Sequence, residues 1–221
     1  MRQLMPVLVT TILVVAVYFV VLYIKYQGKL NSDTAWIGSL DAKRLRNFEK
    51  EVEEECRKKK ISLDGPVNVE KLINECHYTI REKILMPFHE ASISPKKSVV
   101  YVRKWLSPER RRFALTHELM HIWFDQDAEN AGARYRDAHS IFHRRTTEEQ
   151  DIDYRAACLI MNEKAFVEDL DKAEYFSSSK DKRRETIYAL SGKYKVAPDA
   201  VARRICEINK LYNESEANRI H

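Results

Sequence analysis

At 221 residues and 26.0 kDa the chain is long enough for one ordinary domain with an extension, and 44% hydrophobic residues exclude disorder over most of it. The net charge of +5 is mild, and mixed blocks such as Glu53-Glu54-Glu55 followed by Arg57-Lys58-Lys59-Lys60 read as a solvated helix face rather than a nucleic-acid stripe. Cys56, Cys76, Cys158 and Cys206 are scattered without a Cys-x-x-Cys pair, which excludes a disulfide framework or cysteine zinc site and fits reduced thiols in the cytosol.

The chain opens on a different composition. Gln3 to Ile24 carries no charge, and Val7 to Ile24 is almost wholly apolar, close to the ~20 residues that span a bilayer core. Tyr18, Tyr23 and Tyr26 gather toward its C-terminal end, as an interfacial belt would. A cleaved signal peptide would have a shorter apolar core and a small-x-small site, whereas Tyr-Ile-Lys-Tyr-Gln-Gly follows here. Residues 1–26 therefore read as an uncleaved single-pass anchor, meeting the lipid bilayer through residues 6–24. Only Arg2 precedes the span, and Lys25, Lys29, Lys43 and Arg44 follow it. Positive charge stays inside, so the bulk of the protein is expected on the cytoplasmic side of the cell membrane.

Residues 27–60 form a juxtamembrane unit and 61–221 the main domain. Gln27 to Ser39 is a polar linker. Asp41 to Lys60 predicts an amphipathic helix with Leu45, Phe48, Val52 and Cys56 on one side, placed to pack on the body or to stand off the membrane. Asp64-Gly65-Pro66 is a turn. Val69, Leu72, Ile73 and Cys76 mark another helix, and Tyr78 to Arg81 a short strand. Pro87 and Pro95 bound an irregular stretch, and β-branched residues make Ser98 to Val102 strand-like. The class expected is α+β, mainly helical with a small β-sheet. Such a sheet beside the next helix is a place for a substrate backbone to add as a further strand.

Ser107-Pro108 starts that helix, serine as N-cap and proline at the first helical position, where its missing N–H costs nothing. Phe113, Leu115, Leu119, Ile122, Trp123 and Phe124 leave little of its circumference polar, so it should be largely buried. Within it stands His117-Glu118-Leu119-Met120-His121. Two histidines four apart leave one helix face and can share a metal ion. The glutamate between them lands where it can take a proton from a water the metal activates. This is the H-E-x-x-H arrangement of zinc peptidases. A plain core helix would not explain a carboxylate on a buried face, which is costly unless paired or metal-linked.

A catalytic zinc site takes three protein ligands and leaves one position open. Between Asp125 and Arg145 the chain is polar without a clear period, and holds Tyr135, His139 and His143. Thr147-Glu148-Glu149-Gln150 then has the form of a capping box opening a helix through Ile160. Glu148, Glu149, Asp151 and Asp153 are all candidates for the third ligand. Glu149 with Asp153 four residues on has the spacing of a ligand followed by a carboxylate that orients a ligating histidine. Asp151 is the runner-up, and acids in a first helical turn are also ordinary, favoured by the macrodipole. His139 and His143 are alternative ligands or, with Tyr135, donors to an oxyanion. Helical stretches run to the end, broken at Ser177-Ser178-Ser179 and Val196-Ala197-Pro198.

Over roughly Val67 to Leu211 the chain resembles the ImmA/IrrE-type zinc peptidases. RRRFALTHELMHIWF is similar to the family's run of arginine, phenylalanine, threonine, leucine, alanine, histidine, glutamate, leucine, glycine and histidine. EQDIDYRAACLIMN at 149–162 is similar to a second family segment that opens on a glutamate and closes on methionine-proline. LSGKYKVAPDAVARRICEI at 190–208 is similar to the helical segment that follows, and is the least specific of the three. The resemblance implies a zincin-like metalloendopeptidase domain, Zn2+ held by His117, His121 and Glu149, and Glu118 as general base. It also implies a protein substrate, a cytosolic transcriptional repressor. Met120 stands where glycine is usual and should narrow the cleft. Arg155 replaces a phenylalanine and puts a charge where an apolar contact is expected, and Asn162 replaces a proline.

Two other classes of function compete. Tyr188 to Ile208 can be read as a DNA-binding helix-turn-helix, with Leu190, Val196, Val201 and Ile205 as core and Arg203 and Arg204 exposed. The bland alternative is a helical pair completing the peptidase body, and nucleic acid is not the expected partner. A membrane-tethered scaffold with a vestigial site is the third reading, and the intact His117, Glu118 and His121 speak against it.

Overall fold

The structure, a computed structural model, describes residues 42–63, 66–84, 90–125 and 147–217, together with Val17. The expected anchor (Val17 apart), the linker at Gln27–Ser39, the Asp64-Gly65 half of the turn, Pro87, and Tyr135, His139 and His143 lie outside the described residues. Among the described residues no helix is long and apolar enough to cross a membrane.

The elements run α1 (Ala42–Lys58), α2 (Val69–Glu75), β1 (Thr79–Lys83), β2 (Ala91–Ser94), β3 (Val99–Arg103), α3 (Pro108–Phe124), α4 (Thr147–Ile160), α5 (Glu163–Lys172), α6 (Lys180–Tyr194) and α7 (Pro198–Ala217). This is an α+β arrangement, mainly helical with one small sheet. In α1, Leu45, Phe48, Val52 and Cys56 recur every three or four residues and are buried on one face. That face packs on α4 and α7, so the helix read as a juxtamembrane element shares the core of the body. Glu49 is buried on the same face, an acid in an apolar stripe that needs a partner.

Asn68 caps α2 by accepting the Lys71 N–H at 3.1 Å. The sheet has the order β1-β3-β2. β1 runs parallel to β3, Thr79 opposite Val99, and β2 runs antiparallel to it, Ala91 opposite Val102. β2 falls in the stretch expected to be irregular. Ala-Ser-Ile-Ser is short and low in strand propensity, so pairing with the buried β3 decides its conformation.

Ser107 caps α3 by accepting the Arg110 N–H at 3.3 Å, with Pro108 in the first turn, as its sequence predicts. Lying across β2, β3, α2 and α4, α3 buries Ala114, Leu115, Leu119 and Met120. Met120 is fully buried in the core, so it does not narrow a cleft as expected. Arg155 of α4 is accommodated by Glu51 at 2.7 Å and by the Phe48 ring, 4.2 Å from its guanidinium. Asn162 takes up the capping role for α5, accepting the Lys164 N–H at 3.2 Å.

Leu190, Val196, Val201 and Ile205 are buried between α6, α7 and the body. The exposed basic pair expected of a helix-turn-helix is absent. Arg204 is 0% exposed, and Arg203 is bound to Asp153 and Glu207. Both cations are consumed inside the body, which leaves neither to meet a phosphate backbone.

Candidate metal centre

The capped start of α3 and its uninterrupted period set His117 and His121 on one face, their rings 4.8 Å apart. The helix opening at Thr147 brings Glu149 against them. His117 Nε2 is 3.1 Å from His121 Nε2 and 3.2 Å from Glu149 Oε2, and His121 Nε2 is 3.7 Å from Glu149 Oε1. One ligand atom from each of the three lies within 4.8 Å of the others. Glu118, 5% exposed, sits between the histidines in sequence, and its charge acts on His121.

Each ring also has a carboxylate on its far nitrogen. Asp153 Oδ1 is 2.8 Å from His117 Nδ1, and Asp125 Oδ2 is 2.6 Å from His121 Nδ1. The Nδ1 protons are thereby committed to carboxylates, and in the neutral rings both Nε2 lone pairs face the same space as Glu149. Three electron-pair donors converging this closely call for a cation. Two nitrogens about 2.0–2.1 Å from one tetrahedral zinc stand roughly 3.3 Å apart, so the spacing here fits such an ion.

The electrostatics agree. Burial presses the His117 pKa down, but hydrogen bonds to Asp153 and Glu149 outweigh it and raise it to about 9. Burial acts the same way on His121, and Asp125 and Glu149 raise it to about 10. Burial alone would raise Glu149, yet the two imidazoles hold it well below the usual carboxylate range. The pocket favours positive charge, as protons or as a metal that displaces them.

Of the four acids considered for the third position, only Glu149 reaches the Nε2 atoms of both histidines. Asp151 is turned to Arg44 at 2.5 Å, and Glu148 is exposed. Asp153 meets His117 as the spacing predicts. Sequence reasoning missed Asp125, although its place four residues after His121 carries the same signal. It also missed Arg203, whose Nη1 lies 3.2 Å from Asp153 Oδ2. Fifty positions separate that pair, and no local pattern marks it.

A sheet-backed helix carrying two histidines, with a glutamate delivered by the next described helix, defines the metallopeptidase class of site. Residues 79–205 match the peptidase M78 family model, described as the IrrE N-terminal-like domain. This match takes in more than half of the chain and all three candidate ligands, and the chain belongs to that family. No curated protein matches it. Among solved structures, a Mycobacterium tuberculosis transcriptional regulator is similar in fold, with a TM-score of 0.51 at 16% sequence identity. That likeness covers 72% of this chain and 46% of the other, so this chain spans less than half of that protein.

Proposed function

We propose that the chain is a zinc-dependent endopeptidase, anchored in the cell membrane by residues 6–24 with its catalytic body in the cytoplasm, that hydrolyses peptide bonds in a repressor-type regulatory protein. The observation that carries the reading is the convergence of His117 Nε2, His121 Nε2 and the Glu149 carboxylate beside the buried Glu118. Zinc bound there supplies Lewis-acid activation of a water and of the scissile carbonyl. Asp153 and Asp125 keep the Nδ1 protons in place, so the two rings present Nε2 lone pairs. Glu149 adds a negative charge that offsets part of the cation's. Glu118 takes the proton of the attacking water and passes it to the leaving amine. The regulatory substrate follows from the resemblance to ImmA/IrrE-type peptidases.

Metal content tests the site. The full chain in detergent is expected to hold about one zinc per molecule. Glu149→Ala should weaken zinc binding by more than the ~10–100-fold typical of losing an outer partner. Equal zinc content and affinity in the two proteins would remove Glu149 from the ligand set.

The anchor reading is supported by the uncharged Gln3–Ile24 stretch and the lysines and arginine that follow it. Cys206 is exposed on the body. A membrane-impermeant maleimide is expected to label it only after cells are permeabilised, and labelling in intact cells would reverse the orientation.

A further inference from the structure

The metal centre does not end at Asp153. Its Oδ1 accepts from His117 Nδ1 at 2.8 Å, and its Oδ2 accepts from Arg203 Nη1 at 3.2 Å. Arg203 Nε in turn donates to Glu207 Oε1 at 3.0 Å. Glu207 Oε2 lies 3.6 Å from Arg204 Nη1, and Arg204 Nη2 donates to Glu49 Oε1 at 2.6 Å. The same Glu49 oxygen accepts from Tyr154 Oη at 2.9 Å. Signs alternate along the row from imidazole to carboxylate, guanidinium, carboxylate, guanidinium and carboxylate. The side chains of Asp153, Glu207, Arg204 and Glu49 are 2%, 1%, 0% and 4% exposed, so solvent screens little of the coupling.

We infer that Arg203, held by Glu207, is a positioning residue for the metal ligand His117, and that Arg204 and Glu49 extend this support to the N-terminal helix α1. The inference rests on the metal reading of His117. Its physical basis is that a buried carboxylate orients a ligating imidazole only as well as the carboxylate is itself held. Asp153 has one oxygen on the ring and the other on Arg203. Removing the guanidinium takes away one of the groups that hold the carboxylate and changes the charge that the far side of His117 feels. Arg203 is itself fixed by Glu207, which shares a buried site with Arg204. Arg204 is anchored by Glu49 of α1, 155 positions away in sequence. Docking of α1 and metal binding are therefore linked, and by reciprocity each strengthens the other.

The test uses the full chain in detergent and reads zinc affinity by chelator competition, the visible absorption bands of the Co(II)-substituted protein, and amide exchange in residues 42–58. Arg203→Met is expected to weaken zinc binding by ~10–100-fold and to shift the Co(II) bands. Arg203→Lys, which can still bridge Asp153 and Glu207, recovers most of that loss. Glu49→Gln keeps hydrogen-bonding capacity toward Tyr154 and Arg204 while removing the charge. It is expected to weaken zinc binding about fivefold, the lower end of ordinary coupling between sites. Zinc should slow exchange in α1 of the wild type, and slow it less in Arg203→Met. If Arg203→Met does not fold, Glu49→Gln decides, since it changes no shape. Unchanged zinc affinity and Co(II) bands in the folded variants would overturn the inference and leave the metal reading standing. A wild-type chain that takes up no zinc or cobalt would overturn both.

Discussion

Glu118→Gln is expected to keep its zinc and to lose peptide hydrolysis by about 10²–10⁴-fold, the contribution of a placed general base. The substitution is nearly isosteric, and Glu118 is not among the three groups whose donor atoms converge, so the metal's holders are untouched. What disappears, on the proposed mechanism, is the general base. An amide cannot accept the proton of the attacking water or deliver it to the leaving nitrogen. Burial makes the contrast sharp, because Glu118 is 5% exposed and bulk water has little access to replace it. The assay is turnover of a quenched-fluorescence peptide library beside zinc content measured on the same preparation. Full hydrolysis with full metal would remove Glu118 from the mechanism. Loss of both would mean that it acts through folding or metal binding.

Arg204→Met is expected to cost about 3–5 kcal/mol of stability, the usual consequence of removing one partner from a buried ion cluster. Arg204 is 0% exposed and faces Glu49 at 2.6 Å and Glu207 at 3.6 Å, while its Nε donates to the Met161 carbonyl at 3.1 Å. Without it, two acids stay buried with less compensating charge. Burial already raises the Glu207 carboxyl, with Arg203 and Arg204 acting against that rise. Losing Arg204 raises it further. A carboxyl raised in the folded state contributes stability that is full below its unfolded pKa and is lost as pH rises through its folded value. The damage from Arg204→Met should therefore be smaller near pH 4.5 than near pH 8. Urea denaturation at both pH values measures it, and a pH-independent loss below about 1 kcal/mol would show the cluster to be uncoupled.

Much of this protein could be read locally. The Ser107-Pro108 cap and the unbroken run to Phe124 were legible because helix signals act within a few residues. The α1 stripe of Leu45, Phe48, Val52 and Cys56 was legible for the same reason, as was the start of α4 at Thr147. β2 was not, because Ala91-Ser92-Ile93-Ser94 owes its conformation to β3. Met120 and Arg155 were misjudged for a related reason. A side chain's meaning depends on what faces it, and the core around Met120 and the Phe48-Glu51 surface around Arg155 come from distant segments. Arg203 and Arg204 show this most clearly. Two adjacent arginines on a terminal helix look like a basic surface until the acids from α1, α4 and α7 are seen to enclose them.

Backbone geometry by itself determined that His117 and His121 share a face, that Glu118 lies beside them, and that a helix beginning at Thr147 carries Glu149 and Asp153 at matching spacing. A period of 3.6 residues needs no knowledge of the rest of the chain. Packing alone decided which of four acids joins the two Nε2 atoms and which backs a ring from its far side. His117 finds Glu149 and Asp153 at sequence separations of 32 and 36, and Arg204 reaches Glu49 across 155. Contacts at that range form only when the buried faces of α1, α3, α4 and α7 are pressed into one core, and a linear pattern does not record that geometry.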